Sequence, residues 1–155
     1  MQNKKTLKES HLEVATDLNA LSQVLEWFEE TATSLLPDKA YWQCKLALAE
    51  GFTNAVRHAH QGLPKTTPIK LEVKFFTQYL EMKVWDRGQP FDLLARLQYQ
   101  TKLQSNFDPK KDDVPEGGRG LIWMNQLTDE LSYTRTPDQQ NCLFMRKKFR
   151  RIRRR

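Results

Sequence analysis

The chain is short of cysteine, of long apolar runs and of internal repetition. Only Cys44 and Cys142 are present among 155 residues, 98 positions apart and outside any CxxC or Cys/His cluster. That spacing excludes a dense disulfide framework and gives no support to a zinc site, leaving two reduced thiols as the expectation. The N-terminal stretch MQNKKTLKES contains no apolar segment, and no run of about 18 apolar residues occurs, so neither secretion nor membrane spanning is expected. With no repeat and only six glycines and seven prolines, solenoid, collagen-like and low-complexity architectures are also excluded. A single cytoplasmic domain is expected.

The composition contains 39% hydrophobic and 28% charged residues, enough for one packed core. The formal net charge of +6 and the pI near 9.4 would by themselves suggest nucleic acid or an anionic membrane surface as partner. Eight of the 25 Lys and Arg, however, fall in residues 146–155 (RKKFRRIRRR), which contain no acid. Residues 1–145 keep 17 bases against 19 acids, a net −2. The expected organisation is a folded domain over residues 1–148 followed by a basic tail over 149–155, and nucleic acid is expected at most as a non-specific contact of that tail.

Residues 6–14 read as extended. Thr16 and Asp17 offer caps for a helix whose Leu18, Leu21, Leu25, Phe28, Ala32 and Leu35 follow helical spacing up to Pro37. Asp38 is expected to cap a second helix that runs to about His60, where Gln61-Gly62-Leu63-Pro64 stops it. Residues 68–76 and 79–86 alternate with period two and predict a hairpin around Thr77-Gln78. Beyond Gly88 and Pro90 the pattern predicts a brief helix, then irregular chain from about Tyr99 to Gly118. A third helix is expected from near Gly120, followed by strands in LSYTR and NCLFMRKKF. Half-wet strands with helices to cover them imply an α+β fold, a two-layer α/β sandwich with a mostly antiparallel sheet and helices on one face.

Three motifs carry chemistry. On the second helix Glu50, Asn54 and His58 stand at i, i+4 and i+8, within about 80° of one another, opposite an apolar face of Leu48, Phe52, Ala55, Val56 and Ala59. At the end of a strand, Asp86 of Asp86-Arg87-Gly88-Gln89-Pro90-Phe91-Asp92 is in phase with Leu80, Met82 and Val84, so its carboxylate faces the covered side and needs donors there. The third is Glu116-Gly117-Gly118-Arg119-Gly120-Leu121, a Gly-rich turn opening a helix, where bare backbone N–H groups suit an anion. Taken singly, these are also what a solvated helix face, a strand-end turn and a glycine-initiated helix look like.

The ordered set E-x-x-x-N-A-x-x-H, D-x-G-x-P-F-D and G-G-R-G-L resembles the bacterial anti-sigma factor serine/threonine kinases, in the wider GHKL superfamily of ATPases that includes gyrase and histidine kinases. The resemblance covers roughly residues 6–148 and implies a Bergerat-type ATP-binding fold with a mixed sheet. It further implies that Glu50 is the base acting on an attacking serine, that Asn54 ligates Mg²⁺, and that Asp86 accepts from the adenine amino group of ATP. Gly88 would keep the turn open for the base, and Gly118, Arg119, Gly120 and Leu121 would wrap the phosphates. His58 is expected to pack under the helix end, and Lys110 and Lys111 are candidates for the phosphates for which solvated loop charge is the favoured reading.

The implied function is regulation of transcription by partner switching: binding a sigma factor, and phosphorylating a serine on an anti-anti-sigma antagonist, by a homodimer. A histidine kinase would carry a phosphoacceptor hairpin for which 155 residues leave no room. The alternative is a nucleotide-dependent binding module that represses its partner without phosphotransfer.

Overall fold

The computed structural model describes residues 5–105, 110 and 119–150. Strands β1 (Lys8–Ala15), β2 (Pro68–Phe75), β3 (Tyr79–Asp86), β4 (Glu130–Arg135) and β5 (Asn141–Lys148) form one sheet in the order β1-β2-β3-β5-β4. All four pairings are antiparallel, so where the resemblance implied a mixed sheet the described strands are antiparallel throughout. The β2–β3 connection is the expected tight hairpin, closed by the Phe76 N–H on the Tyr79 carbonyl at 2.9 Å.

Alternation decides the two faces of the sheet. Ile69, Leu71, Val73 and Phe75 of β2, Leu80, Met82 and Val84 of β3, and Leu143 and Met145 of β5 are buried together. They meet Val24 and Phe28 of α1 (Leu21–Ala32), Cys44, Ala47, Leu48 and Phe52 of α2 (Asp38–Asn54), and Leu121 and Met124 of α4 (Gly120–Leu127). Removing these side chains from water is the main stabilising term of the fold. The other face is a lattice of charges: Lys74 lies between Glu9 (3.8 Å) and Glu72 (3.7 Å), and Arg146 between Glu81 (2.9 Å) and Glu130 (2.7 Å). The architecture is the expected α+β two-layer sandwich.

Several boundaries differ from expectation. Leu18–Ala20 is a short 3₁₀ turn capped by the Asp17 carboxylate, and Thr16 is not a cap but a buried tie between elements. Pro37 takes the N-cap position of α2, so Asp38 is its first residue, where a carboxylate favours the helix dipole. The chain expected to turn irregular at Tyr99 stays helical: α3 spans Leu93–Ser105. Its weak amphipathicity hid it, because Leu94, Tyr99 and Leu103 are exposed and make no continuous buried stripe. Among the described residues no helix is long and apolar enough to cross a membrane. Both cysteines are free and buried, and burial pushes their thiols up to about 12 for Cys44 and about 11 for Cys142. Neither serves as a thiolate at neutral pH.

At the C-terminal end, Phe149 belongs to the sandwich rather than to a tail. Its N–H pairs with the Gln78 carbonyl at 2.9 Å and its ring packs against the core. Arg146, Lys147 and Lys148, the first three bases of the cationic run, lie within β5.

Candidate functional site

The site is organised by the last turns of α2. Gly51 lies between Glu50 and Asn54 on the sheet side, and a Cβ there would meet Leu143 at 3.2 Å, Met145 at 3.3 Å and Val84 at 3.4 Å. A bare backbone at this point lets α2 lie close on β3 and β5. That sets the height of Glu50 and Asn54 above the strand ends.

Asn54 is the last α-helical residue, and Ala55–Ala59 then form a π turn that the His60 N–H closes on the Ala55 carbonyl at 2.9 Å. Such wide turns recur in helices at functional sites. The expected packing role of His58 is corrected here: His58 is exposed, and the ring that turns inward is His60. His58 continues the stripe of Glu50 and Asn54, opposite the apolar face of Phe52, Ala55 and Ala59, and that side is turned away from the core.

His60 ties three elements. Its Nε2 accepts the Arg87 backbone N–H at 2.8 Å, and its Nδ1 lies 2.8 Å from the Thr16 hydroxyl, which itself donates to the Thr67 carbonyl at 2.6 Å. With the hydroxyl proton committed to Thr67, Nδ1 must be the donor to Thr16 and Nε2 the acceptor. The ring is therefore the neutral Nδ1–H tautomer, in line with a pKa held below the usual histidine value chiefly by burial.

Asp86 follows its period and is 3% exposed. Its Oδ1 accepts from the Gly88 N–H at 2.9 Å and from the Asn141 amide at 2.8 Å, and Oδ2 accepts from the Tyr133 hydroxyl at 3.3 Å. The Asn141 amide also donates to the Gly88 carbonyl at 2.8 Å, which clamps the Asp86-Arg87-Gly88 turn from β5. Gly88 itself lies against the π turn: a Cβ there would stand 1.8 Å from the Ala59 carbonyl oxygen. Glycine is required at this position by backbone approaching backbone, which joins the strand-end motif to the helix motif.

Glu50 is half-buried, and desolvation raises its pKa above the ordinary carboxylate value, opposed by the nearby Arg57. Its Oε2 lies where a Cβ on Gly120 would be 3.1 Å away. The helix motif and the start of α4 are therefore in contact, with Arg119 at the N-cap and Leu121 buried in the core. Asn54 is half-buried at the helix end. Gly118 and Lys111 lie outside the described residues, and Lys110 is exposed.

Asn141, Tyr133, His60, Thr16 and Gly51 were missed by reading motifs. Asn141 had a usable signal, since it is in phase with Leu143 and Met145, the same argument that placed Asp86.

A one-sided antiparallel sandwich with Glu and Asn on a helix end, a buried strand-end Asp and a glycine-led helix beside Glu50 is the architecture of a histidine kinase-like domain. Comparison agrees: residues 14–147 match the histidine kinase-like ATPase domain, and the chain belongs to that family. Over 89 residues it is 35% identical to the serine-protein kinase RsbW of Bacillus licheniformis, covering 56% of this chain and 53% of that one. Against RsbW of Staphylococcus epidermidis the identity is 31%, over 57% of this chain and 54% of that one. The chain thus spans about half the length of the curated relatives it matches. Among solved structures, the RsbU and RsbW domains of a Mycobacterium tuberculosis protein superpose with a TM-score of 0.61 at 16% identity, over 95% of this chain and 34% of that one, which is a likeness of fold.

Proposed function

We propose that the protein is an ATP-dependent serine/threonine kinase of the anti-sigma factor type, which regulates transcription by partner switching. The observation that carries this is Glu50: a half-buried carboxyl of raised pKa, one helical turn before Asn54 and in contact range of Gly120. A base must be positioned and must be ionised yet basic enough to take a proton, and burial of this carboxyl raises its basicity. The similarity to RsbW serine-protein kinases supports the same reading.

In this reading the serine hydroxyl of an anti-anti-sigma protein attacks the γ-phosphorus of ATP. The bond from that phosphorus to the β,γ-bridging oxygen breaks, ADP leaves, and Glu50 takes the serine proton. The Asp86 carboxylate receives the adenine amino group, and Gly118, Arg119, Gly120 and Leu121 face the phosphates, Leu121 through its backbone because its side chain is in the core. The Asn54 side-chain oxygen fits Mg²⁺, a hard cation that takes one or two protein oxygens and completes its shell with phosphates and water. When bound, that ion neutralises charge developing on the phosphate oxygens. The sigma factor would be bound in the complementary state, by a homodimer in the cytoplasm.

The test is incubation with labelled ATP and a candidate antagonist. Transfer by wild type, lost in Glu50→Ala with nucleotide affinity largely kept, is expected. ATP binding without transfer by wild type would instead identify a nucleotide-dependent binding module.

A further inference from the structure

The two oxygens of Asp86 are not equivalent. Oδ1 accepts two short bonds, 2.9 Å from the Gly88 N–H and 2.8 Å from the Asn141 amide, which fills its lone-pair directions. Oδ2 holds the Tyr133 hydroxyl at 3.3 Å, well beyond the usual 2.7–2.8 Å or so of an O–H···O bond and therefore weak. Any further donor to this carboxylate must use Oδ2, the oxygen that Tyr133 engages.

Tyr133 is held in that position from outside. Its ring lies 4.3 Å from that of Phe91, tilted by 34°, and the Arg96 guanidinium lies over the Phe91 ring at 4.7 Å. These contacts link α3 through Phe91 to Tyr133 on the edge strand β4, whose hydroxyl reaches the strand-end carboxylate. Burial and the Asp86 charge raise the Tyr133 pKa, so the hydroxyl keeps its proton and remains a donor.

We propose that the Tyr133 hydroxyl competes with the nucleobase amino group for Oδ2 of Asp86, and that Tyr133 thereby sets the nucleotide affinity of the site. The inference rests on the nucleotide-site reading above. Oδ2 has a second lone pair, but with Asp86 only 3% exposed a base amino group that reaches this oxygen takes the place of the Tyr133 hydroxyl rather than adding beside it, exchanging one donor for another. Each such exchange forfeits the Tyr133 contact, so wild type binds more weakly than the same site without the hydroxyl. A base lacking that amino group has nothing to offer Oδ2 and leaves Tyr133 where it is.

The experiment is calorimetric titration of the full chain and of Tyr133→Phe with Mg-ATP and with the triphosphate of purine riboside, which lacks the amino group. Tyr133→Phe keeps the ring stack and removes only the donor. The expected result is ATP binding tightened by roughly 3–10-fold, the worth of one weak hydrogen bond, with purine riboside triphosphate unchanged. Binding of ATP by the variant but not by wild type is the same result in stronger form. Equal or weaker ATP binding by the variant overturns the proposal while leaving the nucleotide site standing, and so does equal tightening for both ligands, which would be an effect of space. If neither protein binds ATP, the nucleotide reading fails and the proposal with it.

Discussion

The imidazole of His60 accepts the backbone N–H of Arg87 at 2.8 Å, so the end of a helix holds the end of a strand through one ring nitrogen. Protonation would place a second N–H against that donor. The folded-state pKa of His60 is lowered, so the unfolded chain binds this proton more readily. Stability is therefore full above the ordinary histidine pKa of about 6.5 and falls as the pH drops through it, until the folded-state value is reached. Denaturant titrations from pH 8 to pH 5 should show this slope, and in His60→Leu the His60 share of it should vanish, leaving that of His58, whose pKa is also lowered.

Gly88→Ala should be severe for a single methyl. The added carbon would stand 1.8 Å from the Ala59 carbonyl, and because both partners are backbone, the π turn or the end of β3 must move. A loss of about 1–3 kcal/mol is expected from overpacking, together with loss of ATP binding, measured by thermal melts and calorimetry.

Asn141→Leu removes the donor shared by Asp86 Oδ1 and the Gly88 carbonyl. Leaving buried acceptors short of a donor costs about 1–3 kcal/mol. The midpoint of urea unfolding should fall accordingly, and a double-mutant cycle with Asp86→Asn should show coupling between the two positions.

Gly120→Ala separates chemistry from folding. The new methyl would lie 3.1 Å from Glu50 Oε2, and the far end of a flexible side chain can yield by a few tenths of an ångström. Stability should change by less than about 1 kcal/mol. If Glu50 is the base, phosphotransfer should fall on the order of tenfold through its displacement, read as a drop in turnover with the affinity for ATP nearly constant.

Truncation after Phe149 keeps the β5 pairing and the Phe149 contact with the core. Melting should be unchanged, and any binding to polyanions should lose its steep salt dependence. Truncation before Phe149 should instead lower the melting temperature.

Much of the sandwich was legible in the sequence because period-two alternation on β2 and β3 and the apolar face of α2 each require a covered side. The helix and strand-end motifs lie on the elements expected of them, and Gly120 opens the expected third helix, while Glu116, Gly117 and Gly118 lie outside the described residues. The sequence did not show the length of α3, whose exposed Leu94, Tyr99 and Leu103 break the usual amphipathic signal, or the change from α to π geometry after Asn54. That change rests on hydrogen-bond spacing along one helix, which residue types alone do not encode.

The same division applies to charge and to the site. The sequence by itself determined that the positive charge is concentrated at the C-terminal end, that the rest is nearly balanced, and that Asp86 must be buried and need donors. Only the tertiary structure decided which donors those are, since Asn141 is 55 residues away from Asp86 and Tyr133 is 47. It also decided that three bases of the cationic run belong to a strand, with Arg146 held by Glu81 and Glu130. The physical reason is common to these cases: periodicity is local and reports which way a side chain points, whereas a hydrogen-bond partner is supplied by whatever strand the sheet order places alongside.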